Sequence, residues 1–348
     1  MTASYQSIGK ELEQHKTPVG TPDWDVVRRQ KLRDLEAHTK RPVLVYAVDF
    51  LNSEKVKAAG QDIQIQFSDK DGFFEITNKL TDEAVDVILH SPGGLPDAAE
   101  SLVAMLRNKF KHVRFIVPNI AKSAATMMAM SGNEVLMDAN AELGPVDPQL
   151  IFRKGDNTVV QAPAQAIVDQ FEEAQQLIGA DPTKLPAWLP ILQQYGPSLY
   201  KEAKNALDLA PKLVEEWLTK YMFANDAEGP KRAAEIARYL GDHNEFKSHG
   251  RRVGRKALQD RGAIIINLEE NPELHDRVLA VYFAIVHTFN GGAFKMFENS
   301  RGDGLYRLVQ AIQIPVQMQP GGLPALRIPQ LKPPQLPPGQ QTPPPPQA

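Results

Sequence analysis

The chain has no cysteine among its 348 residues, which excludes disulfides, thiolate metal sites and a cysteine nucleophile together. It has no basic surplus. Its 39 lysines and arginines face 42 acidic residues, so the broad positive surface that binds nucleic acid is not indicated. No apolar run reaches membrane-spanning length. The longest, Val278 to Phe289, is bounded by Arg277 and Asn290. A bilayer needs about 20 such residues, so this run predicts a buried helix instead. The opening residues, MTASYQSIGKELEQHK, lack the apolar centre of a secretion signal, and a cytoplasmic protein without a membrane span is expected. HExxH and the GxxxxGK[ST] phosphate loop are also missing, as is GxGxxG in a suitable context. No metal or other cofactor is expected.

What is present is an ordinary globular balance, 42% apolar and 23% charged, over a length ample for a buried core. Residues 1–40 are polar and helix-prone, an N-terminal helical or flexible arm. Short runs rich in strand formers follow at Val43–Phe50, Ile63–Phe67, Ala84–Leu89, His112–Pro118, Glu134–Asp138 and Ala263–Leu268. Helical patterns separate several of them, at 97–110 and 123–130. Strands alternating with helices indicate crossover units, an α/β fold and a mainly parallel sheet. From 160 to 260 the pattern is mostly helical, including Ala164–Ala180 and Leu199–Ala224, where Pro211 predicts a helix start or kink. Glu273–Phe289 is a further helix. The main domain therefore spans 41–314. Residues 315–348 are a proline-rich tail that cannot bury enough apolar surface to fold and favours extended polyproline II.

Three segments carry the chemistry. His90-Ser91-Pro92-Gly93-Gly94 follows a strand, and its two glycines let backbone amides approach a substrate closely. Lys122-Ser123-Ala124-Ala125-Thr126 places a serine at a helix start. There the positive helix end and the amide after the serine would stabilise a developing oxyanion. A serine at this position is commonly just a cap. Its pairing with a Gly-Gly turn one crossover unit earlier makes a nucleophile the sharper reading. The third segment, Asp138 to Gln149, contains Gly144-Pro145 and Asp147-Pro148, a stiff loop that either lines a cleft or turns the chain.

The order SPGG, then a strand, then AKSAATMMAMSGNEVLMDANAELGPVDPQ resembles the Clp-fold serine peptidases. Within them it is most similar to the serine dehydrogenase proteinase family, related to signal peptide peptidase A. The likeness is close over 84–150, weaker to about 300, and leaves out the arm and the tail. It implies a Clp/crotonase-like fold of repeated β-β-α units with helical C-terminal additions, and a serine endopeptidase acting on peptide or protein substrate. Ser123 matches the nucleophile. Gly93, Gly94 and Ala124 match the oxyanion-hole positions, although Ala124-Ala125 stand where two glycines are usual. The resemblance also implies a homo-oligomer.

The base is open. No histidine lies between Ser123 and His243, which excludes the histidine placement of the Clp peptidase proper. The related peptidases use a lysine, which needs burial to act near neutrality. Lys204 is favoured here and Lys201 next, with His249 and His90 as further candidates and Asp147 as a group that would orient a base. Two other classes stand beside the Ser-Lys peptidase. One is a crotonase-type acyl-CoA enzyme. The other is a degenerate scaffold whose tail recruits a polyproline-reading partner.

Overall fold

The computed structural model describes residues 3–153 and 157–309. The proline-rich tail lies outside them. In chain order the strands are β1 (Val43–Val48), β2 (Ala84–His90), β3 (His112–Val117), β4 (Ile120–Ala121), β5 (Glu134–Met137), β6 (Glu142–Leu143), β7 (Gln149–Arg153), β8 (Val159–Pro163), β9 (Ile265–Asn267), β10 (Ala293–Asn299) and β11 (Gly304–Leu308). Seven of these form one sheet in the order β11-β10-β1-β2-β3-β5-β9. Strands β1, β2, β3, β5 and β9 run parallel, and β10 and β11 complete one side antiparallel.

Parallel strands covered on both faces should be apolar almost throughout. Strand β1 is buried at every position, and β2 at all but its first. Alternate residues serve opposite layers. Leu44, Tyr46, Val48, Val87 and Leu89 join Phe73, Leu102 and Met127 from the helices Asp69–Thr77, Pro96–Lys109 and Ala124–Met130. Val43, Val45, Ala47 and Ile88 join Leu32, Leu35, Val278 and Val281 from the helices Trp24–Thr39 and Pro272–Thr288. The stretch Val278–Phe289 thus falls mostly within a helix whose inner side is core. Among the described residues, no helix is long and apolar enough to cross a membrane. Residues 1–40 contribute two helices, Tyr5–Gln14 and Trp24–Thr39, and the second places Leu32 and Leu35 in the core.

Several segments differ from their sequence patterns. Ile63–Phe67 is not a regular strand: a 3-10 turn ends at Ile63, and only Ile65 makes a bridge, to Gly94. Pro211 sits inside a continuous helix, Leu199–Trp217, rather than starting one. Strands β10 and β11 and the β7–β8 hairpin carry no clean apolar alternation. In β10 the charged Lys295 and Glu298 are nonetheless buried.

A second, smaller layer of extended chain sits at the carboxyl ends of the parallel strands. There Ser91 bridges Ala121, β4 pairs with β6, and Leu143 bridges Val253. In open α/β sheets this end is where ligands bind.

Candidate active site

The turn after β2 and the turn after β4 meet at this end. Ser123, half-buried, precedes the helix Ala124–Met130 with φ 52° and ψ −123°. A non-glycine residue at positive φ outside the usual left-handed well costs about 1–3 kcal/mol, and such strain concentrates at functional sites. Its side chain makes no cap bond to the helix it heads, so the ordinary capping role does not explain it.

Gly93 lies directly against this elbow. A β-carbon on Gly93 would come within 2.7 Å of Ser123 Cβ and 3.0 Å of the Ala124 amide nitrogen, and Gly93 itself has φ 94°. Only glycine suits the position. Gly94 presses on the Ile65 backbone in the same way. In that pairing Ile65 N donates to Gly93 O (2.8 Å) and Leu95 N donates to Ile65 O (3.0 Å). Parallel pairing of this kind uses the groups flanking Gly94, so Gly94's own N–H faces away from Ile65. The Gly93 N–H is directed inward, to Ser91 Oγ at 3.2 Å.

Two further segments converge on the elbow. Lys122 Nζ reaches Glu142 Oε1 (3.1 Å), Leu143 O (3.2 Å) and Arg251 O (3.2 Å), with Gly250 O at 3.5 Å. The residue before Ser123 thus holds both the 142–147 loop and the 250–253 segment, whose Leu143 and Val253 also exchange two backbone bonds. Along these segments lie Asp147 and two histidines. Asp147, 1% exposed, faces His249 Nδ1 with Oδ1 (2.7 Å) and His243 Nδ1 with Oδ2 (2.8 Å), and accepts from Gln149 Nε2 (3.1 Å). An ionised carboxylate only accepts, so each Nδ1 is the donor. A neutral His249 ring then carries its lone pair on Nε2, and its side chain remains 27% exposed.

The other candidates stand elsewhere. Lys204, half-exposed on the helix Leu199–Trp217, lies 3.5 Å from Tyr200 OH and 4.0 Å from Glu172. Lys201 is exposed one turn earlier. That end of the helix packs in a satellite cluster with Ala164, Ile167 and Val168, and neither lysine has the burial sought for it. Among the described contacts none joins Lys201 or Lys204 to Ser123. His90 is buried between Phe50 and Tyr282, and burial pushes its pKa down to about 4. It is a neutral core histidine. The structure thus brings together Ser123, Gly93, Gly94 and Ala124, and ties the Asp147–His249 pair to them through Lys122. Sequence reasoning missed His243, and no local pattern marks it.

Asp138, Glu269 and His275 also cluster closely enough to suggest a cation site. Their ligand atoms are committed, however. His275 Nε2 faces Asp138 Oδ2 (2.7 Å), while Arg255 and the Ala139 amide take the two oxygens of Glu269. The Arg255 guanidinium also holds the Glu269 carboxyl below its ordinary range despite burial.

A parallel sheet with this β-β-α elbow and glycine turn defines an α/β protein of the Clp type. Residues 26–192 match the family model described as ClpP-like SDH-type serine proteinase. Two uncharacterized proteins of Methanocaldococcus jannaschii are 31% and 30% identical to it over 159 residues, 46% of this chain. The chain spans less than half the length of these relatives, 46% and 44%. Among solved structures, a serine-to-alanine mutant of the 1510-N membrane-bound stomatin-specific protease is similar at 16% identity and TM-score 0.36, covering 62% of this chain and 79% of that one. ClpP1 from Listeria monocytogenes is similar at 12% identity and TM-score 0.34, covering 68% of this chain and 95% of that one.

Proposed function

We propose that the chain is a serine peptidase that cleaves peptide bonds through Ser123, with His249 as general base and Asp147 orienting it. Ser123 Oγ attacks the scissile carbonyl carbon while its proton passes to His249 Nε2. The oxyanion is received by the N–H groups of Gly94 and Ala124. His249 then returns the proton to the leaving amine, and water hydrolyses the acyl-enzyme by the same route. The observation that carries this reading is the strained Ser123 elbow packed against Gly93, with no capping bond to account for it. The match of residues 26–192 to the ClpP-like serine proteinase model supports the reaction class. The Nδ1 contact with buried Asp147 favours His249 over Lys204 and Lys201, because it leaves a lone pair on a partly exposed nitrogen. Gly93 shapes the turn rather than donating, since its N–H is already engaged by Ser91.

The test is labelling with a fluorophosphonate probe, with the adduct located by mass spectrometry. Labelling of Ser123 that disappears in Ser123→Ala is expected. A folded protein that stays unlabelled, while a control serine peptidase reacts, would overturn the reading. Self-association is proposed with it, and light scattering tests that part: a monomer at assay concentration counts against it.

A further inference from the structure

A buried charged network that takes no part in the chemistry above lies directly behind the glycine turn. Asp69 and Tyr46 are 0% exposed and Lys295 is also 0% exposed. Tyr46 OH donates to Asp69 Oδ2 at 2.8 Å, and Lys295 Nζ lies 2.9 and 3.0 Å from the two Asp69 oxygens. These three side chains come from β1, from the first residue of the helix Asp69–Thr77 and from β10.

What they grip is specific. Asp69 Oδ2 accepts from Gln66 N (3.0 Å), and Lys295 Nζ donates to Gln64 O (2.7 Å). Gln64 and Gln66 flank Ile65, the residue paired with Gly94. Behind Asp69, Tyr46 OH completes the grip by donating to the same carboxylate. The turn is therefore held through Ile65, and that hold ends at Lys295, at Asp69 and, behind Asp69, at Tyr46.

Filling this volume does not require charge. Phe73 and Phe297 already pack on the Tyr46 ring, with centroids 5.4 and 5.2 Å away. Burying an ion pair is costly, and an apolar replacement is often as stable or more so. A charged network kept behind a catalytic turn calls for a role other than stability.

We propose that Tyr46, Asp69 and Lys295 are positioning residues that set the orientation of the Gly94 amide toward Ser123, acting through the Gln64–Gln66 segment. The inference rests on the peptidase reading. Oxyanion donors work by being aimed in advance, so a turn free to rotate loses rate without losing substrate.

Tyr46→Phe keeps the ring and its packing and removes only the hydroxyl link. Its kcat, and its rate of fluorophosphonate labelling, should fall on the order of tenfold with KM within about twofold. Asp69→Asn should do the same, and the double variant should be no slower than the worse single one, because both cut the chain that runs from Tyr46 OH through Asp69 to Gln66 N. Independent, multiplying effects, or unchanged rates in both singles, would overturn the proposal. Amide hydrogen exchange at Gly93 and Leu95 supplies a readout that needs no activity. It should quicken in Tyr46→Phe while exchange in β1 and β2 stays as in the wild type, and unaltered exchange at the turn also overturns the proposal. If the wild type is not labelled at all, the peptidase reading fails, and the exchange measurement still decides whether the network holds the turn.

Discussion

Residues 84–148 and residues 157–207 contain the same kinds of side chain and use them differently. In the first stretch helices are built into the core: every residue of Ala124–Met130 is buried. In the second, the helix Leu185–Leu192 is apolar along its length yet has no buried residue, and Leu185 and Leu189 are 44% and 43% exposed. Lysine shows the contrast most clearly. Lys122 is committed to a carboxylate and backbone carbonyls beside Ser123, whereas Lys201 and Lys204 face solvent on the appended helices. The lesson is that a lysine's place in the sequence says little until the layer beneath it is known. The appended region reads as a module hung from the site loop, since β7 begins only two residues after Asp147.

The sharpest way to break this comparison is to exchange the two candidate bases. His249→Ala should lower kcat/KM on the order of 1,000-fold, within the span typical of a general base, while Lys204→Ala should stay within about twofold. The reverse result would restore the lysine mechanism and move the centre of the site into the appended region. Packing gives the next largest difference. Leu102→Ala, at a fully buried position, should cost about 2–5 kcal/mol in urea unfolding, and Leu189→Ala about 0.5 kcal/mol or less. Equal costs would mean that the appended helix is covered in solution.

Acidity probes the buried side alone. Burial depresses the pKa of His90 to about 4 in the folded protein, below its ordinary value near 6.5. Between those values the unfolded chain binds the extra proton, so stability is full above the higher value and declines as pH falls toward 4. The loss should total roughly 3 kcal/mol. Unfolding free energies measured across that window should fall for the wild type relative to His90→Leu as the pH falls; parallel curves would show that His90 is not the group responsible. The smallest effect belongs to Lys122→Met, which should reduce kcat about tenfold with KM nearly unchanged, because the backbone bonds between Leu143 and Val253 still hold the two segments together. Lys122→Arg should recover part of that loss. A KM effect instead would point to substrate contact.

The parallel part of the main sheet was legible because its strands announce themselves. Val43–Val48 is a continuous apolar run and Ala84–His90 is one broken only by Asp86 and the closing histidine, and the helices between them keep a 3.6-residue period. Gly93 and Gly94 were legible as a turn, since positive φ and close backbone approach there need glycine, and Ser123 was legible as the residue at a helix start. Strand β10 was not legible, because its buried Lys295 and Glu298 are satisfied by Asp69 and Arg28, residues more than 200 positions away. Ile63–Phe67 alternates like a strand, but Gln64 and Gln66 use their backbone groups to meet Lys295 and Asp69 rather than a neighbouring strand. His249 appeared in the sequence only as a candidate among several. What distinguishes it is Asp147, and no local pattern encodes a contact of that range.

That range has a consequence in time. Asp147 and His249 are 102 positions apart. At about 5–20 residues per second, a ribosome needs roughly 5–20 s to add the second after the first. Throughout that interval the growing polypeptide holds its serine and its carboxylate but no His249 to receive a proton. If His249 is the base as proposed, a nascent chain would stay unarmed until its late segment zips Val253 onto Leu143.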